Sequence, residues 1–126
     1  MYLVDTSAWI DFLKKKDDRL GPYLESREAA LSDIVLFELL SGVPPDKEPA
    51  LLDDLALFDC LPLTRSAARI AAPMAHAMRR RGFSPQTTDL LIAGIALEAN
   101  ATLIHKDRDF EDIRRFSSLK TVSFLK

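Results

Sequence analysis

The sequence has one cysteine, two histidines, no excess of basic residues and no run of about 18 apolar side chains. Cys60 has no second cysteine in the chain to pair with, so no internal disulfide can support the fold, and a reducing cytoplasm is the expected compartment. With no charged-then-apolar leader and no membrane-length segment, neither an export signal nor a membrane span is expected. Cys60, His76 and His105 show no metal-binding spacing, which argues against a zinc site. Lysine and arginine number 17 against 19 acids, a net charge of −2, so bulk basic attraction to nucleic acid is not the organising feature. There is no internal repeat and no low-complexity tract. The one proline-rich patch, GVPPDKEP from Gly42 to Pro49, reads as a loop inside the domain.

What is present suits one compact domain spanning residues 1–126: 48% of the residues are hydrophobic, enough for a proper core at this length. Short apolar runs at Tyr2–Val4, Ala29–Ser32, Asp59–Leu63, Ala101–His105 and Thr121–Leu125 read as strands. Between them, helical spacing is expected after an Asp5 or Thr6 cap, over Arg19–Ser26, after a Ser32 or Asp33 cap, over Leu51–Phe58, from Thr64 with an interruption at Pro73, from Thr88 or Asp89, and over Glu111–Phe116. Alternation of this kind predicts an α/β sandwich around a mainly parallel sheet, in which ligands collect outside the carboxyl ends of the strands.

The placement of the acids then becomes informative. Asp5 directly follows the first strand, and Asp107 with Asp109 follow the strand ending near His105. A helix over DIVLFELLSG, Asp33–Gly42, would be apolar on every side and would carry Glu38 into the interior, where a carboxylate needs a cation or an arginine. Asp89 heads DLLIAGIAL, with no further charge until Glu98. Taken singly, Asp5 and Asp89 could each be a helix cap, and KDRDFED could be an exposed charged turn. Taken together, converging carboxylates repel one another and raise their own pKa values unless a cation lies among them. Oxygen-only ligands suit Mg²⁺, with Mn²⁺ able to substitute, and such ions commonly complete their shell with substrate phosphates. The chemistry implied is hydrolysis of a phosphate ester or phosphodiester.

Four blocks, LVDTSAWIDFL, FELLSG, TDLLIAGIA and KDRDF, occur in the order seen in PIN-domain nucleases. Over nearly its whole length the chain resembles the short VapC ribonuclease toxins of toxin–antitoxin pairs. The resemblance implies a three-layer α/β/α sandwich and an acidic metal-binding quartet at Asp5, Glu38, Asp89 and Asp107, with Asp109 as an additional or substitute ligand. Ser7 matches the small hydroxyl residue after the first acid, placed to position substrate or to cap the helix. By the same resemblance the protein is an endoribonuclease using water activated by Mg²⁺, leaving a 5′-phosphate and a 3′-hydroxyl. It would form a homodimer, act on structured RNA such as tRNA, and be held inactive by a small VapB-like antitoxin. Apolar candidates for that contact are Trp9, Phe12, Leu36 and Leu40, each of which could equally be core.

One departure stands out. Where the family often has threonine before the last acidic stretch, this chain has His105, which could touch substrate or take part in proton transfer but at a strand end is more often a hydrogen-bonded structural residue; His76 reads as helix surface or core edge. The basic runs Lys14–Lys16 and Arg79–Arg81 could line the approach of RNA or be solvated surface. Other classes fit less well. A haloacid-dehalogenase-type phosphatase needs a second acid where this chain has Ser7, and a phosphoacceptor receiver domain leaves Glu38 unexplained. The strongest competitor is a PIN domain in RNA processing, or a non-catalytic RNA- or protein-binding module.

Overall fold

In the computed structural model of the chain, which describes residues 1–125, five parallel strands form one sheet in the order β3-β2-β1-β4-β5. The strands are β1 (Tyr2–Val4), β2 (Ala29–Ser32), β3 (Asp59–Leu61), β4 (Thr102–His105) and β5 (Thr121–Ser123). The helices are α1 (Thr6–Leu13), α2 (Gly21–Glu25), α3 (Asp33–Ser41), α4 (Glu48–Leu55), α5 (Arg65–Arg80), α6 (Thr87–Glu98) and α7 (Arg108–Arg114). This is the α/β sandwich around a parallel sheet that the alternation of elements predicts, in the three-layer form that the resemblance implies. No described helix is long and apolar enough to cross a membrane.

Strand order explains where a ligand can gather. The chain leaves β1 toward β2 and β3 on one side, then returns to place β4 on the other side, so the order reverses between β1 and β4. Loops leaving two adjacent strands in opposite directions open a crevice at their carboxyl ends. Asp5 and Lys106 begin those two loops, with Val4 registered against Ile104 and the Asp5 N–H donating to the Ile104 carbonyl at 2.9 Å.

Burial follows position in the sheet. Central strands covered on both faces need apolar or small side chains throughout, and β2 is buried at all four residues while Leu3, Val4, Leu103 and Ile104 are inaccessible. Ile92 and Ile95 of α6, Met78 of α5, Phe110 and Ile113 of α7 and Trp9 of α1 complete the core. Trp9 is therefore core and not a contact surface, and Phe12, Leu36 and Leu40 are only partly exposed.

Several local expectations change. Pro73 does not interrupt α5, which runs unbroken through it. Pro73 lies on the exposed side, where water can serve the Arg69 carbonyl that loses its helical donor, while Ala67, Ala71, Met74, Ala75 and Met78 hold the opposite side in the core. Helix α7 starts three residues earlier than expected because the Asp107 side chain accepts from the Asp109 N–H and caps it. The expected loop of Gly42–Pro49 is partly ordered, with a 3-10 turn at Pro45–Lys47 leading directly into α4.

Helix α6 matters most, because it carries Asp89. It packs against α5 at Gly94, where a Cβ would lie 2.4 Å from the Ala67 carbonyl oxygen and 3.2 Å from the Ala71 Cβ. The two backbones can approach this closely only without a side chain at position 94. Gly94→Ala gains at most about 1 kcal/mol of helix propensity. The backbone displacement should cost more, so a net loss of roughly 1–3 kcal/mol is expected in urea unfolding. A variant as stable as the parent would show that α5 and α6 separate freely.

Candidate active site

Each acid reaches the crevice on a different element. Asp5 is the residue after β1 and also the N-cap of α1; its Oδ2 accepts from the Ser7 N–H at 3.2 Å and the Ser7 hydroxyl at 2.6 Å. It is nonetheless only 4% exposed, and burial raises its pKa to about 6 against the opposing pull of the Ser7 bonds. Asp89 lies in the first turn of α6 without acting as its cap, 7% exposed, with Oδ2 buried and lacking any hydrogen-bond partner. Burial first, then the charges of Asp5 and Asp107, and then a contact with Asp109 that can bond only if one of the two is protonated, raise it to about 8.

Asp89, Asp107 and Asp109 form the tightest group, each offering a carboxylate oxygen within 4.8 Å of the others. Asp5 lies outside this triad, yet near enough to raise Asp89. Glu38 stands furthest along the chain of acids, acting on Asp5 and accepting from the Thr6 hydroxyl at 2.7 Å. It is half-buried instead of interior: α3 turns Phe37 to solvent at 69% exposure, and Glu38, one position on, lies at the flank between that side and α1. The expectation of a carboxylate enclosed on all sides is thus corrected. A helix can be apolar in sequence all round and still face solvent where nothing packs on it.

Neighbouring polar residues hold the acids in place. The Ser7 hydroxyl donates to Asp5 and accepts from the Lys106 N–H at 2.9 Å, linking the ends of β1 and β4. Lys106 Nζ pairs with Asp11 Oδ2 at 2.6 Å and Asp17 Oδ2 at 3.3 Å, so its charge is directed to α1 and the segment after it. His105 is completely buried, and its Nδ1 accepts from the Asp107 N–H at 3.1 Å. Burial lowers its pKa, which favours the neutral ring that this acceptor role requires. The sequence offered Thr6 only as an alternative cap of α1; its contact with Glu38 joins residues 32 apart and left no local signal.

The arrangement suits a divalent cation with oxygen ligands. Among the described residues the cluster contains neither histidine nor cysteine, and the unpartnered Asp89 oxygen is what a cation would satisfy. Asp5, Asp89, Asp107 and Asp109 are the residues able to hold it, with Glu38 at the margin.

The raised pKa values have a sign. Both carboxyls titrate near 4 when unfolded, so the folded protein retains protons that the unfolded chain has released. The stability they contribute is present at low pH and is lost as pH rises through about 6 for Asp5 and about 8 for Asp89. His105 acts oppositely, so a comparison between variants isolates the effect. In EDTA, Asp89→Asn should gain stability relative to the parent between pH 5 and pH 8, by ~1 kcal/mol or more. A difference that stays flat across that range would remove the case for a strained Asp89.

The geometry agrees with what the chain is similar to. The PIN domain family matches residues 2–116. Ribonuclease VapC11 of Mycobacterium tuberculosis is 31% identical over 135 aligned residues, covering 98% of this chain and 99% of that protein. Among solved structures, VapBC2 from Rickettsia felis bound to a DNA fragment of its promoter superposes with a TM-score of 0.83 at 23% identity, over 98% of each chain. DNA-bound VapBC from Salmonella typhimurium gives 0.84 at 21% identity, over 97% of this chain and 96% of that one. The chain thus belongs to the PIN domain family, and within it resembles the VapC ribonucleases.

Proposed function

We propose that the protein is an endoribonuclease dependent on Mg²⁺ or Mn²⁺ and the toxin of a toxin–antitoxin pair, built as one domain across residues 1–126 and working in the cytoplasm. The observation that carries this reading is the group of Asp89, Asp107 and Asp109 oxygens within 4.8 Å, flanked by Asp5 at the switch point of a parallel sheet. Its family membership and likeness to VapC11 supply the substrate class.

A divalent ion, when bound, supplies charge stabilisation at phosphorus and acidifies water. The protein's own residues do the rest. Asp89 and Asp5 present buried, poorly solvated oxygens, and Ser7 keeps Asp5 turned toward the crevice. The neutral imidazole of His105 fixes the turn that delivers Asp107 and Asp109. Thr6 holds Glu38 at the solvent side, where a carboxylate can accept a proton from water entering the site. The two histidines do not form an acid–base pair: His105 is enclosed in the core and His76 is exposed on α5. That favours attack by water, leaving a 5′-phosphate and a 3′-hydroxyl, over attack by the RNA 2′-hydroxyl.

Partner binding has its own support. A cleft of about 430 Å³ beside Glu38 is lined by Ile10, Leu13, Leu39, Val43 and Leu51. Ile10, Leu13 and Phe37 are among the exposed large apolar residues. A small VapB-like antitoxin covering this cleft would shield apolar surface and reach the acids at once. Homodimer formation is part of the same proposal and follows the family resemblance.

Purified, antitoxin-free protein should cleave labelled RNA, with total tRNA as the first substrate, in Mg²⁺ or Mn²⁺ and not in EDTA. Asp5→Asn and Glu38→Gln should each lower the rate by roughly 100-fold or more with the circular dichroism spectrum unchanged. Full activity in a folded variant, or a 2′,3′-cyclic phosphate on the product, would defeat the mechanism. Absence of cleavage under every metal would favour the non-catalytic binding module.

A further inference from the structure

We infer that the exposed face of α5 is a docking surface for the RNA backbone, running from the site-proximal end of the helix to its far end. This inference rests on the RNA reading above and adds where the substrate lies outside the crevice.

The first observation is a segregation of charge. Residues 60–88 contain five arginines and no acid, so the remainder of the chain carries 12 basic side chains against 19 acidic ones. A protein of net charge −2 thus holds a continuous segment of +5. Helix α5 occupies the middle of it. Its buried residues, Ala67, Ala71, Met74, Ala75 and Met78, share one face; Arg65, Arg69, His76 and Arg80 recur on the opposite, exposed face at helical spacing. Ala68, Ala72 and Pro73 lie between them, exposed and short, so the guanidinium groups stand over a low surface. None of the α5 arginines has an ion-pair partner among the described residues, in contrast to Lys106 and Arg19, which pair with Asp11 and Asp17.

The second observation separates function from helix stability. Arg79 and Arg80 lie in the last turn of α5, where cations favour the helix dipole, and Gly82 (φ 84°) then ends the helix. Those two arginines have a structural explanation. Arg65 and Arg69 do not: Arg65 is the first residue of the helix, where positive charge opposes the dipole, and Arg69, a turn further in, gains nothing from it. A face that keeps cations against local electrostatics is explained by an anion it must meet.

Topology places that face in line with the crevice. Helices α5 and α6 are antiparallel neighbours: Thr64 at the start of α5 bonds Glu98 at the end of α6 at 2.7 Å. The other end of α5 therefore lies toward Asp89, and its exit loop is pinned by Phe83 against Phe116, centroids 5.2 Å apart, just beyond α7. The helix is about 24 Å long at 1.5 Å per residue. A polyanion entering the acidic crevice needs favourable contacts elsewhere to offset repulsion there, and arginines along such a face provide them without reading bases.

The test uses the 126-residue chain carrying Asp5→Asn, which on the proposed mechanism should hold RNA without cutting it, and total tRNA as the probe. Arg65→Ala with Arg69→Ala should weaken binding tenfold or more and reduce the slope of log affinity against log salt by roughly 1.4–1.8, the loss expected for two phosphate contacts. The control pair Arg27→Ala with Lys120→Ala, both exposed and away from α5, should change neither. The melting temperature of the α5 variant should hold or rise, since no favourable helix charge is lost; a fall would indicate a structural role and count against the proposal. Unchanged affinity and slope in a variant that still binds tRNA would overturn the docking face alone. Failure of the Asp5→Asn parent to bind any tRNA would overturn the RNA reading and this inference with it. Loss of self-association with RNA binding intact would assign the face to a second copy instead.

Discussion

Several carboxylates drawn toward one crevice are the constraint around which this molecule is organised. Asp89 is buried with an unsatisfied oxygen, and Asp5 and Asp107 raise its pKa further, so the site is electrostatically unfavourable when no cation is bound. A flexible chain would relax by turning the carboxylates outward. Here each is attached to a different rigid element: the end of β1, the first turn of α6, the cap of α7 and the middle of α3. The core stabilises those elements independently and so holds the acids together. Strain of this kind tends to be confined to functional sites, where the surrounding structure can sustain it.

Hydrogen bonds to the acids are selective. Asp5 receives two from Ser7 and Asp107 receives one from Asp109, which fixes orientation while leaving other carboxylate oxygens free. Asp89, the most perturbed, receives none at Oδ2. The cation nearby is directed elsewhere, Lys106 to Asp11 and Asp17, so among the described residues no lysine pairs with the triad. A site left with free anionic oxygens remains able to take a cation, whereas one closed by an arginine would not.

Charge is distributed on a larger scale in the same spirit. The acids concentrate outside residues 60–88 and the arginines of α5 concentrate inside, giving a weakly acidic protein one basic face. Net charge therefore says little about what such a protein binds. The distance over which basic side chains can act in salt is about 8–10 Å, so their arrangement along one helix counts for more than the sum.

Much was legible in order and type alone. The strands announced themselves as short apolar runs, residue type narrowed the caps to Asp5 or Thr6 and to Ser32 or Asp33, of which the structure uses Asp5 and Ser32, and the four acidic blocks appeared in sequence order. What the chain could not reveal by itself was anything that depends on partners distant in sequence. Pro73 looked like a break because local rules see its missing N–H and do not see five side chains anchored on the other face of α5. Glu38 looked interior because its neighbours are apolar, but burial is decided by what packs over a residue, and nothing covers Phe37. The contacts of Thr6 with Glu38 and of Ser7 with Lys106 span 32 and 99 residues, beyond any periodicity. Residue types and their spacing thus determined the elements and the chemical character of the site. Only tertiary structure decided which acids meet, which are starved of solvent and which remain at the rim, because distance and desolvation are properties of packing.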